Sequence, residues 1–170
     1  QKNALELARV CDMEEGGVQL LVNENQCALQ FADGVYVTSR LTSGSFPDYK
    51  QIIPKEYSSH TTLLKNDLQS AFKKTNIFLN KFLQVTLDVQ GSLVAVSANS
   101  GEVGATTESV KAQTDGEELR LSFNQRYLTD PLSHIDDESL VMHFAGVGRP
   151  LVMHGVSDTS LRYLVMPMNK

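Results

Sequence analysis

A helix followed by three strands recurs along this chain, and that recurrence restricts the fold more than any other feature. The repeat is one of element types, not of identical residues, at a spacing of roughly sixty residues. Mid-chain, Leu68, Ala71, Phe72 and Leu79 share one helical face. The cap is expected at Asn66 or Asp67, whose side chains accept from first-turn amides. Alternating apolar and polar residues then predict strands at 84–89 and 93–98, with a turn at Gln90 and Gly91, and a third strand from a turn at 99–101 to about Gln113.

The same order appears downstream and upstream. Residues 119–123 read as a strand, and 124–135 as a helix with Leu128, Leu132 and Ile135 on one face. Strands follow at 140–144, 151–156 and 161–168. Pro131 either kinks that helix or opens it after an Asp130 cap. Near the start, 5–10 reads as a helix, with strands at 18–22, 27–31 and 35–41. The second and third units have a leading strand, at 61–64 and 119–123, and the first does not, so the chain is expected to begin inside a domain. Pro47 and Pro54, flanked by aromatics, mark an ordered linker between the first two units. Helices against antiparallel strands, without a βαβ signature, make this an α+β design.

Composition narrows the function. Lys and Arg number 15 and Asp and Glu 20, a net charge of −5, which argues against a stand-alone grip on phosphates. No apolar run reaches the ~20 residues of a membrane span. Cys11 and Cys27 lack CxxC spacing and read as free thiols of a reducing compartment, so the expected location is cytoplasmic and no membrane partner is expected. Phosphate-loop, dinucleotide, zincin and nucleophile-elbow motifs are all absent. Gly146 and Gly148 read as a hairpin turn. His143 and His154 fall on neighbouring strands, with Asp158 the nearest candidate for a third metal ligand; ordinary strand histidines are the expectation, with no metal, no catalytic residue and no cofactor. The acidic groups Glu14 with Glu15, and Asp136 to Glu138, read as solvated loops. Two features remain. Lys65, Gln69 and Lys73 recur at helical spacing, joined by Asn76 and flanked by Lys74, a solvated face or a phosphate contact. The terminus from Tyr163 sets two methionines around Pro167, which suits buried core or a peptide groove.

Three motifs in order, Phe46-Pro47-Asp48-Tyr49 through Pro54, Ser122 to Tyr127, and Tyr163 to Met168, make the whole chain resemble the bacterial DNA sliding clamp family, the beta subunits of DNA polymerase III. The resemblance implies a DNA-clamp fold of repeated units, with helices on one face and sheets on the other. Residues 1–45 would be the second half of a middle domain and 46–170 a complete C-terminal domain. Function would be processivity: a homodimeric ring, when full length, encircles double-stranded DNA without reading sequence. The resemblance also implies a hydrophobic cleft that takes short peptide motifs of DNA polymerase III, the clamp loader, other polymerases and repair proteins. At or near it would lie Pro47, Ile52, Phe82, Asn124, Tyr127 and Pro150, with Leu164, Val165, Met166, Pro167 and Met168 from the terminus. Lys65, Gln69 and Lys73 would face the DNA, and Ile77 and Phe78 would sit at the ring interface. The sequence departs from the family at Gln51, where many relatives carry Arg, at the Asn169-Lys170 ending, and in a shorter loop between Phe78 and Phe82. An interaction scaffold of the same fold that does not encircle DNA is the alternative; a hydrolase or metal enzyme using His143, His154 and Asp158 is a further one.

Overall fold

The structure is a computed structural model that describes residues 2–13 and 16–168. The Glu14–Glu15 pair and the Asn169-Lys170 ending lie outside the described residues. The chain divides into two compact units, Gln1–Pro47 and Asp48–Lys170.

In the first unit, helix α1 (Lys2–Met13) precedes three antiparallel strands, β1 (Val18–Val22), β2 (Gln26–Phe31) and β3 (Tyr36–Arg40), in spatial order β1-β2-β3. Asn23 sets the first turn: its side-chain oxygen accepts from the amides of Asn25 and Gln26, at 2.9 and 2.8 Å. Asp33 does the same for Val35 in the second. Ala28, Leu29 and Phe31 are buried, while every residue of β1 is exposed, Leu20 and Val22 each by 63%.

The second unit runs β4 (Ser59–Leu64), α2 (Lys65–Thr75), β5 (Gln84–Gln90), β6 (Leu93–Asn99), β7 (Ala105–Gly116), β8 (Leu119–Asn124), α3 (Gln125–Thr129), β9 (Ser139–Phe144), β10 (Leu151–Gly155) and β11 (Tyr163–Val165). The strands are ordered β11-β10-β9-β4-β7-β6-β5-β8 and every described pairing is antiparallel. Strand β7 is long enough to serve two partners. Its first half pairs with β6 and its second half, from Ala112, with β4. It ends at Gly116 with φ +112°, where a side chain would collide with the Ser58 carbonyl, so both the turn and the close approach require glycine. The sheet curls until its ends meet at one point: past β11, the Met168 amide donates to the Ser122 carbonyl of β8 at 2.7 Å.

Alternation places the core. Val85, Leu87 and Val89 of β5 and Val94 and Val96 of β6 are fully buried, and Leu68 and Phe72 of α2 and Leu128 of α3 pack against them. Helices therefore cover one sheet face, and the side chains between the buried ones form the other. Burying a side chain such as Phe72 contributes about 1.5–3 kcal/mol.

Four local expectations are corrected. Neither Asn66 nor Asp67 caps α2: strand β4 runs straight into the helix, Leu64 takes the cap position without a side-chain bond, and the Lys65 amide is satisfied by the Glu138 carbonyl instead. Leu79 lies past the helix, beyond a 3-10 turn at Asn76–Phe78, though it still packs on the core. The 124–135 helix is an α-helix only over Gln125–Thr129; with Pro131 near its start, Asp130–His134 continues as a 3-10 helix, and Asp130 caps nothing with its side chain. The last strand spans three residues, not eight, because Pro167 has no N–H for a ladder and the chain turns to β8.

Candidate functional site

Helices α2 and α3 form one candidate surface. At their junction, the Thr75 hydroxyl donates to the Gln125 side-chain oxygen at 2.9 Å, and the Gln125 amide nitrogen donates to the Phe72 carbonyl at 3.1 Å. This buried pair sets the two helices side by side. Between them lies a cleft of about 530 Å³, lined by Gln69, Lys73 and Asn76 on one side and Arg126, Thr129 and Asp130 on the other. Lys65 does not share this role. Its ammonium donates to the Ile135 carbonyl in a half-buried setting, bracing the end of the 3-10 segment, and it does not line the cleft. Lys74, exposed, pairs with Glu108 at 2.8 Å. The cations lining the cleft are thus Lys73 and Arg126, opposed by Asp130. Arg126 escaped the sequence reading; the Asn124 cap, which fixes the phase of α3, is the signal that would have found it.

The C-terminal segment forms the second. Val165 and Pro167 are buried, Met166 is 52% exposed, and Leu164 and Met168 are half-buried. Tyr127 stands on α3, 54% exposed. The Tyr163 hydroxyl titrates above its ordinary value, first because it is desolvated, then because of the Asp130 and Tyr127 charges. Asn124 is spent on structure. Its oxygen accepts from the Arg126 amide at 3.0 Å, capping α3, and its nitrogen donates to the Phe82 carbonyl at 3.1 Å. That bond holds a tight loop in which Asn80 accepts from the Phe82 and Gln84 amides and Leu83 adopts φ +55°. Phe82 is consequently 56% exposed, with the Lys81 ammonium 5.1 Å from its ring centre.

The structure thus joins Phe82 to Asn124. Pro167 and Met168 line a separate cavity of about 610 Å³ with Thr86, Arg120, Ser122, Val147 and Gly148. Neither Phe82, Asn124 nor Tyr127 lines it. Pro150 is half-buried ahead of β10, and Ile52 is 48% exposed after the 3-10 turn Tyr49–Gln51. Pro47 belongs to the first unit. Ile77, 69% exposed, and half-buried Phe78 occupy the 3-10 turn after α2. Val147 and Arg120 were missed because only the β9–β10 connection and the sheet curl bring them to the terminus.

Asp158 accepts from the Ser160 amide, and among the described residues no group of three or more His, Cys, Asp or Glu is placed to hold a metal. Asp137 lies in an exposed loop, as expected, and is also an anchor, accepting from the Ser157 and Asp158 amides at 2.7 and 3.0 Å. His143 sits between His60 and His154; burial, then the charges of His154, His60 and Arg162, bring its pKa down to about 4. No helix among the described residues is long and apolar enough to cross a membrane.

Comparison with known proteins agrees with this architecture. The beta sliding clamp of Halalkalibacterium halodurans is 31% identical over 172 residues, covering 98% of this chain and 45% of that protein. The Escherichia coli beta sliding clamp is 28% identical over 169 residues, covering 99% of this chain and 46% of its own length. The crystal structure of the DNA polymerase III subunit beta from Pseudomonas aeruginosa superposes with a TM-score of 0.87 at 28% identity, over 99% of this chain and 46% of that one. The chain therefore spans a little under half the length of the curated relatives it matches. Residues 50–169 match the profile of the DNA polymerase III beta subunit, C-terminal domain, and the chain belongs to that family, the sliding clamps, which are non-enzymatic processivity factors.

Proposed function

We propose that this chain is the C-terminal portion of a clamp that closes as a homodimer around duplex DNA and tethers DNA polymerase III, its loader and other partners. Residues 1–45 are the second half of a middle domain and 46–170 the complete last domain, a division close to that between the two compact units. The observation that carries the reading is the likeness to sliding clamps over 99% of the chain at a TM-score of 0.87. In such a ring, enclosure replaces affinity, so a net charge of −5 is no obstacle. Gln69 and Lys73, with Arg126 across the cleft, supply polar and cationic contacts to phosphates without reading bases. Exposed Ile77 suits the ring interface together with Phe78. The protein works in the cytoplasm.

Peptide docking is assigned to Met166, Tyr127 and Phe82, whose exposed apolar surfaces accept leucine and aromatic anchors. Asn124 positions the Phe82 loop and the start of α3. A short peptide with Leu and Phe anchors, titrated by fluorescence anisotropy, is expected to bind this chain more weakly than a full-length relative. Met166→Ala or Tyr127→Ala should abolish the signal. No binding at millimolar peptide with both residues intact overturns the docking assignment.

A further inference from the structure

The outer face of the sheet carries a row of three histidines that the clamp reading does not use. His60 on β4 and His143 on β9 are direct cross-strand partners, and His154 on β10 lies diagonally across, opposite Val141. His60 Nδ1 lies 2.5 Å from His143 Nδ1, and His143 Nε2 lies 2.6 Å from His154 Nε2. At the far end His154 Nδ1 is 2.6 Å from the Gly155 carbonyl oxygen. The row bridges three strands and ends where the chain leaves β10 for the loop that Asp137 anchors.

The carbonyl fixes every proton in the row. It only accepts, so His154 carries its proton on Nδ1 and accepts through Nε2. His143 must then donate from Nε2 and accept at Nδ1, and His60 must donate from Nδ1. Three neutral rings thus supply one proton to each of three contacts, and His60 Nε2 alone stays outside the row. A proton added there breaks nothing. Asp115 of β7 is the cross-strand partner of His60 on its other side, so a carboxylate favours charge at that end. A second added proton finds every remaining nitrogen engaged. It sets two N–H groups head to head at one nitrogen–nitrogen contact, and that contact is lost.

The surroundings of the middle ring hold that second proton off at neutral pH. His143 is half-buried, and the Tyr57 ring, ahead of β4, flanks it at 4.9 Å. The charges that act on it are those of His154, His60 and Arg162, the last from the β10–β11 connection. Burial first, then these charges, bring its pKa from 6.5 down to about 4. A base lowered in the folded state adds stability above its unfolded value and loses it as pH falls through the folded one, here between about pH 6.5 and 4.

We propose that the row is an acid-sensitive clasp: it ties β10, and β11 beyond it, to the sheet while it carries at most one extra proton, and releases that end of the sheet on the second. Release is local because β10 and β11 lie at the end of the strand order and share a ladder of three residue pairs. The clasp needs no ligand, and it holds whether or not the terminal segment docks peptides.

The test is amide hydrogen exchange on the whole chain by NMR, corrected for the intrinsic pH dependence, with imidazole ¹H–¹⁵N spectra. At neutral pH the ring protons are expected on His143 Nε2 and His154 Nδ1. Between about pH 7 and 4.5, opening of β10 and β11 should rise about tenfold while β5 and β6 stay protected. One pKa unit is a factor of ten, and partial exposure of the rings reduces the full effect. His143→Gln keeps a donor and an acceptor but does not titrate, so it should abolish the acid response. His60→Gln still donates to His143 but cannot take the first proton, so the response should begin at higher pH. Asp137→Asn should leave this window unchanged, because that carboxylate loses its effect only below about pH 4. Circular dichroism checks the fold of each variant, and the unsubstituted chain decides the case if a variant misfolds. Unchanged protection of β10 and β11 across the window overturns the clasp, as does an acid response that survives in a normally folded His143→Gln chain.

Discussion

Asp137 shows how a residue in an acidic run becomes structural. Its carboxylate accepts two amides of the β10–β11 connection, so it anchors the loop leading to the terminal strand. The amide of Asp158, then that of Ser157, holds its pKa below the ordinary 3.8, against smaller opposing effects of desolvation and the Asp158 charge. A carboxyl lowered in the folded state adds stability above its unfolded value and loses it as pH falls through the folded one. Acid unfolding should therefore steepen below about pH 4. Asp137→Asn is expected to lower the melting temperature at neutral pH and to flatten that acid slope; equal slopes in both proteins would refute the anchor. Gly155 makes the arrangement possible, since a side chain there would collide with the Asp137 carboxylate. None of this was legible from Asp136-Asp137-Glu138, because the amides that Asp137 binds lie twenty residues away.

At the scale of elements, the α2–α3 junction rests on a buried polar pair. Thr75→Val keeps shape but leaves the Gln125 oxygen without its donor, which should cost about 1–3 kcal/mol. Thr75→Ser should recover most of it; urea unfolding of both variants checks the order. The elements were largely readable from period. The strand alternations at 84–89, 93–98 and 140–144 fall within observed strands, and Leu68, Ala71 and Phe72 all face the core. Helix ends were less readable, because the groups that satisfy them are remote. The Lys65 amide finds Glu138, and the α3 amide of Gln125 finds the Leu83 carbonyl. Pro131 neither kinks a continuous α-helix nor follows an Asp130 cap: the helix passes into the 3-10 segment Asp130–His134, which buries Leu132.

For the whole molecule, the two units differ in self-sufficiency. Residues 48–170 bury an extensive core, whereas β1 of the first unit leaves Leu20, Leu21 and Val22 exposed. Expressed alone, 48–170 should unfold cooperatively with a midpoint close to that of the full chain's main transition. A large drop would mean that the second unit depends on residues 1–47. By itself the sequence determined the repeat, the antiparallel α+β class and the family resemblance, because period, turn residues and short motifs are local properties. It left the terminal Tyr163-to-Met168 segment open between buried core and a peptide groove. Only the tertiary structure decided that Lys65 is a brace, that Arg126 joins Lys73, that Asn124 is a cap and that His143 lies between two histidines. Each of those depends on which strands become neighbours, and the energy that selects neighbours comes from burying a shared core rather than from any one segment.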